Sequence, residues 1–195
     1  MTCSRTKLMP TAEIQPPIPR DETQRLEALR RYGNFALLRE SVFDDIARTA
    51  AFICQTPISL ISLVDSKHQW FLSQSGINAC ETSRDASFCA HALMGTGMLV
   101  VEDAREDARF ARNAWVTGEP FVRFYVGAPL LTPDGYPLGT LCVVDHEPRR
   151  LTAEQKDALL ALSRLVMTQL ELIRVKREMQ ALQQSFAPRP GSLIP

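Results

Sequence analysis

The stretch FVRFYVGAPLLTPDGYPLGTLCVVD, from Phe121 to Asp145, decides the fold. It contains two runs of β-branched, aromatic and aliphatic residues, separated by Pro-Asp-Gly at 133–135, which is a strong turn signal. The pattern predicts a β-hairpin with two long arms. In the first arm, alternation puts Arg123, Tyr125 and Gly127 on one face and the apolar residues between them on the other.

A second hairpin precedes the first. PISLISLV at 57–64 is short, rich in β-formers and begins with proline, so we interpret it as a strand. Asp-Ser-Lys at 65–67 turns the chain, and HQWFLSQ at 68–74 returns as the second arm. MLVVED at 98–103 predicts a further strand, whereas 77–95 is expected to hold a loop and a short helix. Strands joined by hairpins pair in antiparallel fashion.

Two helices are predicted before the strands. Asp21 is the expected N-cap of a helix that ends at Gly33. Ser41 is expected to open the second helix, and Asp44 would complete an acidic variant of the capping box. Helices that cover an antiparallel sheet define an α+β fold with a central antiparallel sheet flanked by helices.

A long C-terminal helix is predicted from Thr152, and it has two apolar stripes. The first stripe is formed by Leu159, Leu162, Val166, Leu170 and Ile173, and the second by Leu165, Leu172, Val175, Met179, Leu182 and Phe186. From residue 172 the spacing of the second stripe alternates between three and four, as in a coiled coil. We expect the first half to pack on the domain and the second half to project and form a parallel homodimer. The alternative is one amphipathic helix folded back on its own domain.

The composition restricts the possible functions. The chain has 195 residues, 45% of them hydrophobic, with 22 basic and 22 acidic residues and a formal net charge of zero. This balance, without a block of like charge, predicts no nucleic-acid partner. No apolar run approaches the length of a membrane span, and the first 19 residues lack the apolar stretch of a secretion signal. We therefore expect a cytoplasmic protein without a membrane partner.

Five cysteines are scattered along the chain without a CxxC pair, at Cys3, Cys54, Cys80, Cys89 and Cys142. An odd count without close pairs argues against a disulfide framework and against a structural zinc site. Reduced thiols are therefore expected, and no metal site is predicted.

Several phrases resemble the GAF domain, a small-molecule-sensing module of bacterial signalling proteins. They are RLEALRRYG, TPISLISLVDSKHQWF, ETSRDASFCAHAL, RFYVGAPLLTPDG and LGTLCVVDHEPR, in this order. They are similar to a subgroup found at the front of sensor kinases and cyclic-dinucleotide enzymes. The resemblance implies a central antiparallel sheet, helices on one side for dimer contacts and a ligand pocket under loops on the other.

The chain is accordingly divided into four parts. Residues 1–20 are expected to form a flexible N-terminal lead, and residues 21–170 a GAF-type sensory domain. Residues 171–186 would form a projecting coiled-coil helix that carries the signal onward, and residues 187–195 a disordered tail. No output domain is visible, so we expect the chain to act in trans or to be a fragment of a longer protein.

The segment SRDASFCAHALMG, Ser83 to Gly95, places Cys89 two residues before His91. On a helix two residues subtend about 200°, so the two side chains would diverge and would not form a nucleophile–base dyad. On a strand they would share a face. The apolar neighbours of Cys89 predict a buried, unreactive thiol with a raised pKa.

Four further kinds of GAF-type or metal site can be considered for the cysteines and histidines of this chain. Metal binding would need His68 and His146 to converge with further ligands. Phytochrome-like GAF domains attach a bilin through cysteine in motifs that are absent here, which predicts no covalent bilin. The Asn-Lys-x-Asp signature of cyclic-nucleotide GAF domains is also absent. Some GAF domains reduce free methionine sulfoxide, and Cys80 with Cys89 would be the nucleophile and resolving pair of such an enzyme.

A ligand pocket is predicted on the Tyr125 face of the hairpin. Thr140 and Cys142 would complete its wall, and Arg84 either contacts a ligand or ties down its loop through Asp103 or Asp107. The full set of candidate pocket residues is Trp70, Arg84, Phe88, His91, Trp115, Arg123, Tyr125, Thr140 and Cys142.

We therefore predict a sensory and signal-transduction module that is not itself an enzyme. It would bind an unidentified small molecule, bias the geometry of its dimeric helices and act on a downstream signalling protein. The alternatives are a thiol-dependent, free methionine sulfoxide reductase-like enzyme and a ligand-free dimerisation module.

Overall fold

The computed structural model describes residues 15–33, 35, 38, 40–77 and 81–186. The strands are β1 (Ile58–Val64), β2 (His68–Ser75), β3 (Glu81–Ser83), β4 (Leu99–Val101), β5 (Phe124–Leu131) and β6 (Pro137–Asp145). The helices are α1 (Glu22–Arg30), α2 (Ser41–Cys54), α3 (Phe88–Ala92), α4 (Ala114–Thr117) and α5 (Ala153–Phe186). Most of the predicted N-terminal lead, the predicted tail at 187–195, Cys3 and Cys80 lie outside the described residues.

One six-stranded antiparallel sheet forms the centre, in the order β3-β2-β1-β6-β5-β4. Both predicted hairpins are present, as β1–β2 and β5–β6. Pairing of β1 with β6 joins the two hairpins, with Ser62 opposite Thr140. The predicted α+β class, with a central antiparallel sheet, flanking helices and a long C-terminal helix, is confirmed.

The edge strand β3 is a difference from the prediction, which placed a loop there. Its three residues are too few to show period-two alternation, and all three are polar. The strand exists because it pairs with the edge of β2, with His68 opposite Ser83. Such pairing depends on tertiary structure and not on local propensity.

Asp21 is the N-cap of α1 and Ser41 is the first residue of α2, as predicted, but the predicted side-chain capping interactions do not form. Asp21 occupies the N-cap position of α1, but its side chain makes no capping hydrogen bond. Glu40, not Ser41, is the N-cap of α2. Asp44 instead accepts a 2.6 Å hydrogen bond from the Ser73 hydroxyl on β2, which ties the helix to the sheet.

The sheet is buried on both faces, so two hydrophobic clusters form. On one face, β5 residues such as Phe124 and Val126 pack with side chains of α2 and α5. On the other face, Tyr125 and Cys142 pack with Phe88 of α3. The alternation predicted for the long hairpin is therefore confirmed, and strand β1 is buried along its whole length.

The two stripes of α5 have different environments. Leu159, Val166 and Leu170 of the first stripe are buried in the core shared with α2. In the second stripe, Leu165, Leu172, Val175, Met179 and Leu182 are 41% to 60% exposed. The helix keeps contact with the domain beyond residue 170, because the Arg177 guanidinium donates to the Tyr32 carbonyl at 2.8 Å. No helix in the described part of the chain is long and apolar enough to cross a membrane.

Replacing Gly139 by alanine should destabilise the sheet at the β1–β6 junction. A Cβ at this position would lie 1.9 Å from the Ser62 carbonyl oxygen and 2.8 Å from the Leu63 Cα. Since backbone atoms cannot move aside, we expect Gly139→Ala to lower the free energy of unfolding by about 3 kcal/mol or more. Urea denaturation monitored by circular dichroism measures the change.

Gly97→Ala is the matched control, because a Cβ there would meet no atom within 4 Å. It should change the free energy of unfolding by about 0.5 kcal/mol or less. Equal stability of the two variants would contradict the close approach of β1 to β6.

Candidate functional site

A cavity of about 60 Å³ lies between the sheet and α3. Its walls are mainly apolar and include Leu60, Phe71, Phe88 and Trp115, while Cys89 lies among its few polar groups. A cavity needs roughly 10–15 Å³ to hold one water molecule, so this space admits about four waters or one small molecule. The cavity is the candidate ligand site.

Four polar side chains converge on the sulfur of Cys89. The donors to Sγ are Thr140 Oγ1 at 3.0 Å, Gln69 Nε2 at 3.1 Å, Ser62 Oγ at 3.2 Å and the Tyr125 hydroxyl at 3.3 Å. They come from β6, β2, β1 and β5, which are the four central strands of the sheet. A sulfur that accepts several hydrogen bonds is better matched by a thiolate than by a thiol.

The polar cluster changes the acidity of the buried thiols. Burial alone raises the pKa of Cys89, but hydrogen bonds from Cys142, Ser62, Thr140 and Tyr125 outweigh it and lower that pKa below the ordinary thiol value. The pKa of Cys142 is raised, chiefly by its hydrogen bond with Cys89 and then by burial. Burial and the nearby sulfur atoms raise the pKa of Tyr125, so its phenol remains a donor.

These observations correct one expectation and confirm another. Cys89 is buried, as predicted, and its sulfur contacts the sheet, whereas the His91 ring meets Phe110 edge-on at 4.7 Å and does not line the cavity. The expectation of apolar surroundings and a raised pKa for Cys89 is wrong. Its chain neighbours are apolar, but the atoms around Sγ are donors from distant strands.

Glycine at position 127 allows Tyr125 to reach the sulfur. A Cβ on Gly127 would lie 2.4 Å from the Tyr125 hydroxyl oxygen. The absence of a side chain therefore leaves room for the Tyr125 ring to fold over the strand. The same hydroxyl lies 3.3 Å from Thr140 Oγ1, which links the two donors.

Thr82 supplies a polar group without a partner. It lies on β3, lines the cavity and is 5% exposed, and its Oγ1 has no hydrogen-bond partner among the residues that the structure describes. A buried hydroxyl without a partner costs free energy unless a bound molecule satisfies it. This atom therefore marks the cavity as a place for a ligand with a hydrogen-bonding group.

Arg84 ties down its loop through a carboxylate, as one of the two alternatives predicts, but the carboxylate is not one of those predicted. Its guanidinium pairs with Glu22 of α1 and donates to the Asp65 carbonyl at 3.0 Å, and neither Asp103 nor Asp107 is its partner. Burial raises the pKa of Glu22, and the hydrogen bonds from Arg25 and Arg84 outweigh it and lower that pKa. The ion pair holds the loop before α3 against α1.

The structure brings together only part of the predicted pocket. Phe88, Trp115, Tyr125 and Cys142 line the cavity, and Thr140 contacts the Cys89 sulfur. Trp70 and Arg123 point to other partners: the Trp70 indole donates to Asp65 at 2.7 Å, and Arg123 donates to the Val116 carbonyl at 2.8 Å. His91 and Arg84 also lie outside the cavity lining.

The sequence analysis missed Ser62, Gln69 and Thr82. Ser62 lies between Ile61 and Leu63 in a mainly apolar strand, Gln69 lies two residues before Phe71, and both polar side chains are buried. A buried serine or glutamine within an otherwise apolar strand is the signal that would have indicated a polar cluster. The contact that Ser62 and Gln69 both make with Cys89 depends on the register of β1 against β2.

The GAF domain family matches residues 38–170, and the chain belongs to this family. A cyclic di-GMP phosphodiesterase of Pseudomonas aeruginosa is 44% identical over 160 residues, which cover 82% of this chain. The chain spans 27% of the length of that relative. The sensory class of the domain is thereby established.

Solved GAF-type structures share the fold at low sequence identity. The PixJ GAF domain of Thermosynechococcus elongatus, in its blue-light absorbing form, superposes with a TM-score of 0.60 at 12% identity, over 88% of this chain and all of that domain. A free methionine-R-sulfoxide reductase of Neisseria meningitidis gives 0.58 at 16% identity, over 80% of this chain and 89% of the enzyme. These similarities concern the fold alone.

The expectation that the chain is not an enzyme is contradicted by the comparison. The relative that is 44% identical over most of this chain is named a phosphodiesterase, which is an enzyme. The match covers only the GAF part of that enzyme, so composition and motifs within this segment carried no sign of the activity.

Protonation of His91 should destabilise the domain in acid. Burial, followed by the charge of Arg109, lowers the His91 pKa from 6.5 to about 4. Between these values the unfolded chain binds more protons, so the free energy of unfolding falls as the pH falls from 6.5 to about 4. For this partly exposed ring we expect a loss of about 1 to 2 kcal/mol.

Urea denaturation across this pH range measures the effect. His91→Gln should remove this part of the decrease in the free energy of unfolding at acid pH. His68→Gln, on the β1–β2 hairpin with a side chain 40% exposed, is the control and should retain it. An unchanged pH profile in His91→Gln would contradict the assignment.

Proposed function

We propose that this chain is the sensory part of a cyclic di-GMP signalling protein, and that it binds a small molecule in the cavity above Cys89. The observation that carries the proposal is the cavity itself, with mainly apolar walls and a polar cluster built from four adjacent strands. Small-molecule sites combine such apolar walls with a few convergent polar groups.

The size of the cavity restricts the ligand. A space of about 60 Å³ fits a molecule of a few non-hydrogen atoms and is much smaller than a cyclic dinucleotide. The ligand is therefore distinct from the substrate named for the Pseudomonas aeruginosa relative. Apolar walls favour a neutral molecule, and the free Thr82 hydroxyl favours one with a hydrogen-bonding group.

Strand β5 offers a route from the cavity to α5. Tyr125 faces the cavity, whereas its neighbours Phe124 and Val126 lie in the core that includes α5 residues Val166 and Leu170. A ligand that shifts Tyr125 would shift the strand on which α5 packs. Because packed cores have discrete arrangements, this contact supports transmission of a binding event to the helix.

The exposed stripe of α5 supports a homodimer as the unit that carries the signal. Leu172, Val175, Met179 and Leu182 are each at least 41% exposed and repeat at coiled-coil spacing. Pairing of two such helices would cover these side chains. The partner of this stripe is accordingly a second copy of the chain, and the regulated output is cyclic di-GMP phosphodiesterase activity, the activity for which the 44% identical relative is named.

The thiol-dependent reductase remains a second hypothesis. Its proposed partner for Cys89, Cys80, lies outside the described residues. The similarity to the Neisseria meningitidis reductase concerns the fold and carries no residue of the reaction to this chain.

Leu172→Glu is the test of the proposal. Leu172 is 60% exposed, so the change should leave the monomer folded, while a carboxylate at the helix seam should prevent pairing. We expect the chain to sediment as a dimer at roughly tens of micromolar and the variant as a monomer. In a chimera in which this chain replaces the matching segment of the Pseudomonas aeruginosa phosphodiesterase, cyclic di-GMP hydrolysis should fall about fivefold or more in the variant.

Gln184→Glu adds the same charge to α5 at an exposed position away from the stripe, and it should change neither measurement. A monomeric wild-type chain, or hydrolysis in the chimera that Leu172→Glu leaves unchanged, would contradict the proposal.

A further inference from the structure

The cavity contains a second thiol beside Cys89. Cys142 on β6 also lines the cavity and is fully buried, and it lies two residues after Thr140, whose hydroxyl donates to the Cys89 sulfur at 3.0 Å. Two cysteines that line one cavity differ from Cys54, which is buried in the other core with its pKa raised to about 11 by burial. The two environments predict very different thiol chemistry.

We propose that Cys89 and Cys142 form a peroxide-reactive thiol pair, with the cavity as the binding site for hydrogen peroxide. Four donors hold the Cys89 sulfur at 3.0 to 3.3 Å, and the free Thr82 hydroxyl is available to a peroxide oxygen. The inference rests on the proposed function in one respect: the cavity proposed to bind a small ligand is also the cavity in which hydrogen peroxide would bind.

The cavity fits this reactant in size and polarity. Hydrogen peroxide is neutral, has two oxygen atoms and both donates and accepts hydrogen bonds. It occupies little more space than a water molecule, so the cavity of about 60 Å³ admits it, while the apolar walls disfavour charged oxidants. The reactive form of cysteine is the thiolate, which the four donors favour.

In the first step the Cys89 thiolate attacks one oxygen of hydrogen peroxide. A sulfur–oxygen bond forms, the oxygen–oxygen bond breaks, and the departing hydroxide takes a proton and leaves as water. The sulfur loses two electrons to the peroxide and becomes a sulfenic acid. The hydroxyls of Ser62, Tyr125 and Thr140 lie around the Cys89 sulfur, close to the departing hydroxide that takes the proton.

In the second step the Cys142 sulfur attacks the sulfenic sulfur of Cys89. A disulfide forms as the sulfur–oxygen bond breaks, and the hydroxide takes the Cys142 proton and leaves as a second water. Because Cys142 lies on β6, next to residues that pack against α5 such as Val143, the disulfide would alter the strand beneath the signalling helix.

Peptide mapping of the full chain tests the proposal. The protein is treated with hydrogen peroxide, blocked with iodoacetamide and digested without reductant. We expect a Cys89–Cys142 disulfide to form at least about tenfold faster than any oxidation of Cys54. In Cys142→Ser, Cys89 should be trapped by dimedone as a sulfenic acid, whereas Cys54→Ser should form the disulfide at the wild-type rate.

Thr140→Val removes one donor and keeps the shape of the side chain. It should move the pH at which Cys89 oxidation is half-maximal upward by about one unit, an effect that a merely structural role would not produce. Cys89 that oxidises no faster than Cys54, or that forms no disulfide with Cys142, would overturn the proposal. If Leu172→Glu still lowers the activity of the chimera in that case, the sensory function stands without the thiol pair.

Discussion

Four donors from four adjacent strands meet at the sulfur of Cys89, and this buried cluster constrains the rest of the domain. Ser62, Gln69, Tyr125 and Thr140 reach it only if β1, β2, β5 and β6 keep their observed register. A slip of one residue would turn a donor to the opposite face and leave a polar group in the apolar core. The cluster therefore specifies the sheet at the place where the cavity forms.

The same strands connect the cavity to the helices. Along β5 and β6, residues that face the cavity alternate with residues that face α2 and α5. One face of the sheet thus lines the cavity, and the other face packs against α2 and α5. Tyr125 and Cys142 therefore lie on the strands that also pack against the long helix, and this packing is the basis of the proposed transmission from the cavity to α5.

The sequence predicts the parts of the fold that depend on local periodicity. The two hairpins follow from strand alternation and turn residues, and the buried stripe of α5 follows from helical spacing. The site was predicted less well, because its contacts join residues far apart in the chain. Ser62 lies 27 positions before Cys89, and Thr140 lies 51 positions after it.

Local neighbours were misleading for the same reason. Phe88 and Ala90 suggest an apolar environment for Cys89, yet the hydrogen-bond partners of Sγ are polar side chains of the sheet. Arg84 was expected to pair with a carboxylate in the loop after β4, but its partner Glu22 is 62 positions earlier in the chain, on α1. Only the assembled sheet shows which polar groups share the interior.

Direct titration of Cys89 tests this account of the site. The difference in ultraviolet thiolate absorption between the protein and Cys89→Ser is followed from about pH 5 to about pH 10, a range that spans the ordinary thiol pKa of about 8.5. The four donors predict a midpoint below that value. A midpoint at or above it would show that burial outweighs the hydrogen bonds and would contradict the account.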